Sequence, residues 1–480
     1  MGETGTNLND EPASSGGHGL KANDVSLKHV VFQGVSYVAP AADVAAFLTL
    51  TVLFAGGSAP LAVLLGGLTY TSFLNMSYQF SKHTGSAAGY YGFIARTFGG
   101  TAGAITGLWW IWFQFFSLAA FGFILSAEFI YFAFPALSSV QYLWIPIVLV
   151  FSGITMYLGY RGLRPSLQYA LGSGLLEVVF LLAASAIIII KVGSGNTLAP
   201  FTLGPLGGNF SALIFSLLFA TPLFAGSGTV VSLAEETKGT VRTIRMAIIF
   251  SVLIMIVTLV VSSYALTVGW GVSKMGDFAN LNDPGVTVYR DYLGGIGAAI
   301  LILITINSFL NSNVSLMSSV SRNIYAMGRD KILPSAVSRL HPKYGSPYIG
   351  VFVLEGVALF LAILAGILFG PFFGATVLFT INIFGLMGVF FVANIALPVY
   401  MKRKTGHVNI LTHILIPLVS MALIAYIFYN SMIPLPAYPL NYAVLIGLIY
   451  LPVSAGVVIL YRKRNLHAFE QVGQVDVMSD

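Results

Sequence analysis

Apolar residues gather along this chain into twelve runs of about 20 or more, at approximately 33–56, 58–80, 99–133, 141–160, 166–191, 209–234, 243–270, 288–320, 347–369, 372–400, 410–430 and 441–461. A helix of about 20 mostly apolar residues spans the hydrocarbon core of a bilayer. The pattern therefore predicts twelve transmembrane helices, with both ends of the chain on one side. The polar positions test that count, because basic residues accumulate in cytoplasmic loops. With the ends placed inside, twenty of the twenty-three Lys and Arg fall on the cytoplasmic side, and only Lys191, Lys274 and Arg290 fall outside. One helix more or fewer would scramble this asymmetry, so the expectation is a multi-pass protein of the cell membrane with cytoplasmic N- and C-termini.

Composition agrees. Of 480 residues 57% are hydrophobic and 8% are charged, with a mean hydropathy of +0.86, whereas a soluble domain carries about 25% charged residues. The fold class is an all-α integral membrane protein. No cysteine occurs, which excludes disulfides, thiolate metal sites and a cysteine nucleophile. Residues 1–30 are rich in Gly, Ser and Asn and lack the apolar core of a signal peptide, so they read as a disordered cytoplasmic tail, and residues 463–480 as a second one. The opening MGETGT fits a myristoylation pattern, although a multispanning protein needs no lipid anchor.

Two runs contain helix breakers. GVSYVAPAADVAAF in the first carries Pro40 among Ala39, Ala41 and Ala42, followed by Asp43. The sixth, LLFATPLFAGSGTVVSLAEE, carries Pro222 and then Gly226, Ser227 and Gly228. Proline removes a backbone donor, and in hydrocarbon the freed groups need other partners. Taken singly each reads as a kink. Together they occupy the same place in two successive groups of five helices, which points to a secondary transporter with inverted repeats and its substrate near the breaks.

SRNIYAMGRDKILPSAVSRLHPKYGSPYIGV, Ser321 to Val351, closely resembles the segment after helix eight in permeases of the amino acid/polyamine/organocation superfamily. TGSAAGYYGFIARTFGG and FAGSGTVVSLAEETKGTVRTI resemble that family's segments after helix two and around helix six. The resemblance covers roughly residues 28–464. It implies a five-plus-five inverted-repeat (LeuT-like) fold with discontinuous first and sixth helices: one repeat over 31–192, the second over 205–404, and two further helices over 409–462. Two departures stand out. Pro40, Ala41 and Ala42 replace the Gly-Ser-Gly of typical members, and where some members carry a coupling lysine in helix five this chain has Gly174 and Glu177, which puts lysine-based coupling in doubt.

Freed N–H groups suit a substrate carboxylate and freed carbonyls suit its ammonium. The expected substrate site is accordingly Ser36, Tyr37, Val38, Ala39, Pro40, Ala41 and Ala42 with Phe224, Ala225, Gly226, Ser227 and Gly228, acting mainly through backbone. Phe224 is either an aromatic gate over the substrate or a packed phenylalanine. Among the acids within spans, ionisable groups are costly and point to function. Asp43 is placed to bind Na⁺, accept a proton, pair with a substrate amine, or cap the second half-helix. Glu177 is either a proton carrier or a bridge to a neighbouring helix. Glu128 and Glu355 lie near helix ends and read as peripheral. Ser308, Ser312, Ser315 and Ser319 recur at helical spacing, as oxygen ligands for a cation, Ser312 and Ser315 above all, or as packing glue.

The expectation is a transporter of amino acids by alternating access, coupled to H⁺ with Na⁺ as the alternative ion. It has no cofactor or resident metal, and its partners are a small-molecule substrate and the bilayer, with no nucleic acid. An exchanger or amine/polyamine carrier is the alternative within transport. A nutrient sensor is the alternative of another class, against which the short tails count. A channel is less favoured, and no nucleophile–base pair suggests an enzyme.

Overall fold

The computed structural model describes residues 20, 21, 24–140, 142–280, 284–465 and 469–475. Most of the expected N-terminal tail with its MGETGT motif, and 466–468 and 476–480 of the C-terminal one, lie outside the described residues. Residues 24–30 of the expected tail are ordered: Val25 bridges Thr237, the Asp24 N–H donates to the Glu236 carbonyl, and a helix begins at Leu27.

Every regular element among the described residues is helical. The first rod comprises α1 (Leu27–Val38), a short α2 (Pro40–Ala42), a π-helical turn Asp43–Phe47 and α3 (Leu48–Ala55). Then come α4 (Ala59–Phe80), α5 (Tyr90–Phe98), and α6 (Gly100–Ser117), which continues through π-helical Leu118–Ile124 into α7 (Leu125–Ala133). They are followed by α8 (Trp144–Arg161), α9 (Leu163–Val192), α10 (Phe210–Ala220), α11 (Thr240–Trp270) and the short α12 (Met275–Phe278). The chain finishes with α13 (Pro284–Arg329), α14 (Tyr348–Phe369), α15 (Pro371–Thr405), α16 (Ile416–Met432) and α17 (Leu440–Arg464).

Eleven stretches of the described residues are long and apolar enough to cross a membrane, one fewer than the twelve runs in the sequence. The difference lies in the first stretch, Leu27–Phe80, which takes in two of those runs. Its 54 residues amount to about 80 Å of helix, well beyond the ~30 Å of a hydrocarbon core. A turn at Gly56–Ser58 divides it, with Gly56 at φ 48.

Connections cluster at two ends of the bundle. At one end, the Arg403 guanidinium donates to the Thr97 carbonyl, the Tyr461 hydroxyl to the Lys331 carbonyl (3.2 Å), and Ser346 Oγ to the Tyr160 carbonyl (2.7 Å). Both described chain ends are tied there, through Val25 and through the Gly473 N–H to Asp330 (2.7 Å). At the opposite end Ser58 Oγ donates to the Thr202 carbonyl, and Lys191 reaches the Tyr292 carbonyl.

Between the ends, small residues let helices approach, as expected where lipid supplies no hydrophobic drive for association. A Cβ on Gly66 of α4 would come within 2.7 Å of the Ala220 backbone in α10, and one on Gly385 of α15 would strike the Phe113 ring of α6. Large apolar side chains such as Ile190, Ile296 and Leu460 point outward, where a bilayer accepts them.

Charge is buried at the end holding the termini. Arg322 is 1% exposed, its Nε 2.8 Å from Glu236 Oε2, and Arg329 Nη1 lies 3.0 Å from Glu235 Oε2. The Tyr91 hydroxyl donates to Asp330 at 3.0 Å. Arg322→Met would leave Glu236 buried without its cation and is expected to destabilise the fold by roughly 3–5 kcal/mol. The readout is a lowered thermal unfolding midpoint in detergent, with part of the loss regained when Glu236→Gln is added. A single variant as stable as the parent would contradict the pairing.

Candidate functional site

The first rod breaks at one residue. Ala39 sits at φ 62, ψ 64, a left-handed conformation that costs a non-glycine residue about 1–2 kcal/mol. Pro40 stops the helix by lacking an N–H and disfavouring right-handed α geometry in the residue before it, and then starts the next helix from its first position. The break is thus confined to Ala39, inside the stretch Ser36–Ala42 expected to form the site. Its freed groups are taken by side chains from other helices. The Tyr37 carbonyl accepts from Ser312 Oγ (2.6 Å), and the Ala41 carbonyl from Thr305 Oγ1 (3.4 Å).

The second break follows α10. A 3-10 turn at Pro222–Phe224 leads to extended Ala225 and to Gly226 at φ 120, ψ −27, after which 3-10 turns run over Ser227–Glu236. Glycine is required twice at 226. Few L-residues adopt that backbone, and a Cβ there would lie 1.9 Å from Tyr37 Cδ1. The two breaks therefore touch, with the Tyr37 ring lying against Gly226. The Gly226 N–H is held by the Tyr70 hydroxyl at 2.9 Å, and the Tyr37 hydroxyl donates to Gln114 Oε1 at 2.9 Å.

Beside this contact lies a cavity of about 460 Å³. Of the residues expected from sequence, Tyr37, Val38, Asp43, Ala225, Gly226 and Ser312 line it. Others stand behind the wall. Ala39, Pro40, Ala41 and Ala42 are buried, and the Ser36 hydroxyl donates to the Ala170 carbonyl on α9 at 3.0 Å. The Phe224 ring tip packs toward Gly67 of α4 and does not line the cavity, so the gate reading does not fit this arrangement. Ser227 donates to the Phe224 carbonyl, and Gly228 faces Leu74 and Tyr90. Ser315 offers its carbonyl to Gln33 (3.0 Å), and Ser319 Oγ accepts from the same amide (2.7 Å), so the serine stripe of α13 stitches α13 to α1.

Pattern reading missed the aromatic walls. Phe47, one turn beyond Asp43, stacks on Phe121 at 5.3 Å and lies 6.5 Å from Phe379. No signal distinguished these three among 36 phenylalanines. The cavity extends to Pro436 and Leu440, between α16 and α17, and so runs toward the end opposite the termini.

Glu177 of α9 lies behind the first break, off the cavity. Ser308 Oγ donates to it at 2.5 Å, Ser173 Oγ at 3.2 Å and Asn311 Nδ2 at 3.4 Å. Asn311 Nδ2 also reaches Ser36 Oγ at 2.8 Å, and the chain continues outward through Asn307 to the Tyr169 hydroxyl (2.6 Å to Asn307 Oδ1). Asp43 differs: it is 3% exposed and its Oδ2 has no hydrogen-bond partner. Glu355, expected to reach water or headgroups, is fully buried, because α14 packs its face on α8 and Thr155 Oγ1 donates to it at 3.0 Å. Glu128 is half-buried in α7.

The amino acid permease family model matches residues 29–463. The chain is 29% identical over 205 residues to the branched-chain amino acid permease BcaP of Bacillus subtilis (strain 168), covering 43% of this chain and 42% of that protein. It is 27% identical over 259 residues to the low-affinity putrescine importer PlaP of Escherichia coli (strain K12), covering 49% and 53%. In these matches the chain spans about half the length of its curated relatives.

The contact between the breaks can be tested against an open control. Gly207 also has positive φ (61), yet nothing lies within 4 Å of a Cβ placed there. Gly207→Ala is expected to shift the unfolding midpoint slightly, by roughly 1 kcal/mol of backbone strain. Gly226→Ala should shift it far more, through the clash with Tyr37. Equal shifts would mean that the breaks are not in contact.

Proposed function

Because the chain belongs to the amino acid permease family, we propose that it is a secondary-active transporter that carries amino acids or related amines across the cell membrane by alternating access. The observation that carries this reading is the asymmetry of the cavity. It runs from the two broken helices toward one end of the bundle, while the other end is closed by the buried Arg322–Glu236 and Arg329–Glu235 pairs. One of the two states of alternating access would present this asymmetry.

In this reading Leu27–Phe80 crosses twice, giving twelve crossings: inverted repeats over 31–192 and 205–404, each opening on a broken helix, and a further pair over 409–462. The end holding the termini, where the basic residues gather, is cytoplasmic.

The proposed coupling ion is H⁺, with Glu177 as its site and symport as the mode. Support comes from the chemistry of its partners. Ser173 and Ser308 hydroxyls donate to the carboxylate, and each can rotate to accept instead when Glu177 carries a proton. Na⁺ is the alternative, and Asn311 Oδ1, buried and unpartnered, is the free oxygen beside Glu177 that favours it.

The test is uptake of labelled amino acids and amines into proteoliposomes with an imposed pH or Na⁺ gradient. Glu177→Gln keeps the size and much of the hydrogen bonding but cannot exchange a proton. It is expected to abolish pH-driven accumulation while sparing counterflow of substrate. Undiminished pH-driven accumulation in that variant removes Glu177 from coupling, and accumulation driven by Na⁺ alone reassigns the ion.

A further inference from the structure

We propose that the cavity recognises its cargo through an ammonium group, paired with Asp43, and takes a primary amine with a bulky apolar or aromatic body without engaging a carboxylate. This rests on the transport reading and names the substrate class of the same site.

The first argument is charge. Asp43 is the only charged side chain among the residues that line the cavity, and no Lys, Arg or His lines it. A carboxylate placed there would meet a like charge and the electron-rich faces of aromatic rings. An ammonium would meet an opposite charge and faces that attract cations. Phe47, one turn from Asp43 and stacked with Phe121, supplies such a face.

The second argument is the state of the donors. A carboxylate needs N–H or O–H groups, and several of those beside the cavity are already committed. The Gly226 N–H goes to Tyr70. The hydroxyls of Tyr37, Ser312 and Thr229 donate to Gln114, the Tyr37 carbonyl and the Gly226 carbonyl.

The third argument is an unmet demand. Asp43 is 97% buried by its 3% exposure, and Oδ2 has no partner. A buried carboxylate without donors calls for a cation. The rest of the wall is largely apolar, with Leu223, Ile383, Met387 and Phe390, and a volume of about 460 Å³ is ample for an aryl or branched alkyl group. A diamine fits less well, because its second ammonium would find no second acid in the lining.

The experiment measures binding to the purified full chain by calorimetry, using four probes: 2-phenylethylamine, phenylalanine, 3-phenylpropionate and 1,4-diaminobutane. The expected order is 2-phenylethylamine at least tenfold tighter than phenylalanine or the diamine, with no binding of 3-phenylpropionate. Asp43→Asn should weaken 2-phenylethylamine tenfold or more, and Phe121→Leu should weaken it while leaving the preference over phenylalanine intact. Tighter binding of phenylalanine, competition by 3-phenylpropionate, or no binding of the amine each overturns the proposal, and none of these outcomes depends on a variant folding. Counterflow in proteoliposomes separates the two readings. Amine binding without counterflow sinks transport and leaves the ammonium assignment standing, whereas counterflow of an amino acid without amine binding does the reverse.

Discussion

Inside a bilayer no water is available to satisfy a backbone group, so a helix that breaks there must find partners for every N–H and C=O it frees. The rest of this molecule is arranged around that constraint. Pro40 and Ala39 interrupt the first rod, and three side chains from two other helices converge on the breaks: Ser312 and Thr305 from α13 and, at the facing break, Tyr70 from α4. Each comes from a helix packed closely enough to reach, and that closeness depends on small residues at the crossings. Gly174 of α9 shows the limit, since a Cβ there would lie 2.6 Å from Ser36 Oγ.

The same constraint separates the two central acids. Glu177 is surrounded by side-chain donors. Asp43, a few residues past the break, has an oxygen with none.

Closure of the terminal end follows a different rule. There arginine's planar fork lets one guanidinium hold a carboxylate with two N–H groups, as Arg329 does with Glu235. Pairs of this kind are specific in geometry yet contribute modest net stability, since desolvation offsets attraction. The described C-terminal residues lie against the same region, with the Gly473 N–H on Asp330 and Phe469 packed on Gly100.

Much of this was legible in the order of residues. Hydrocarbon thickness sets the length of apolar runs and proline stops a helix, so the class and the positions of both breaks could be read from the runs and from single residues such as Pro40 and Gly226. Those are local properties, decided by a residue and its immediate neighbours. The direction in which a side chain points across a bundle is not local, and it was the packing of helices that turned Phe224 toward Gly67, drew Phe47, Phe121 and Phe379 into one wall, and buried Glu355 against α8. Two helices far apart in the chain meet at an angle and rotation that depend on every side chain between them. A serine stripe therefore reads equally as ligand or glue until its neighbour is in place, and here Gln33 of α1 is that neighbour.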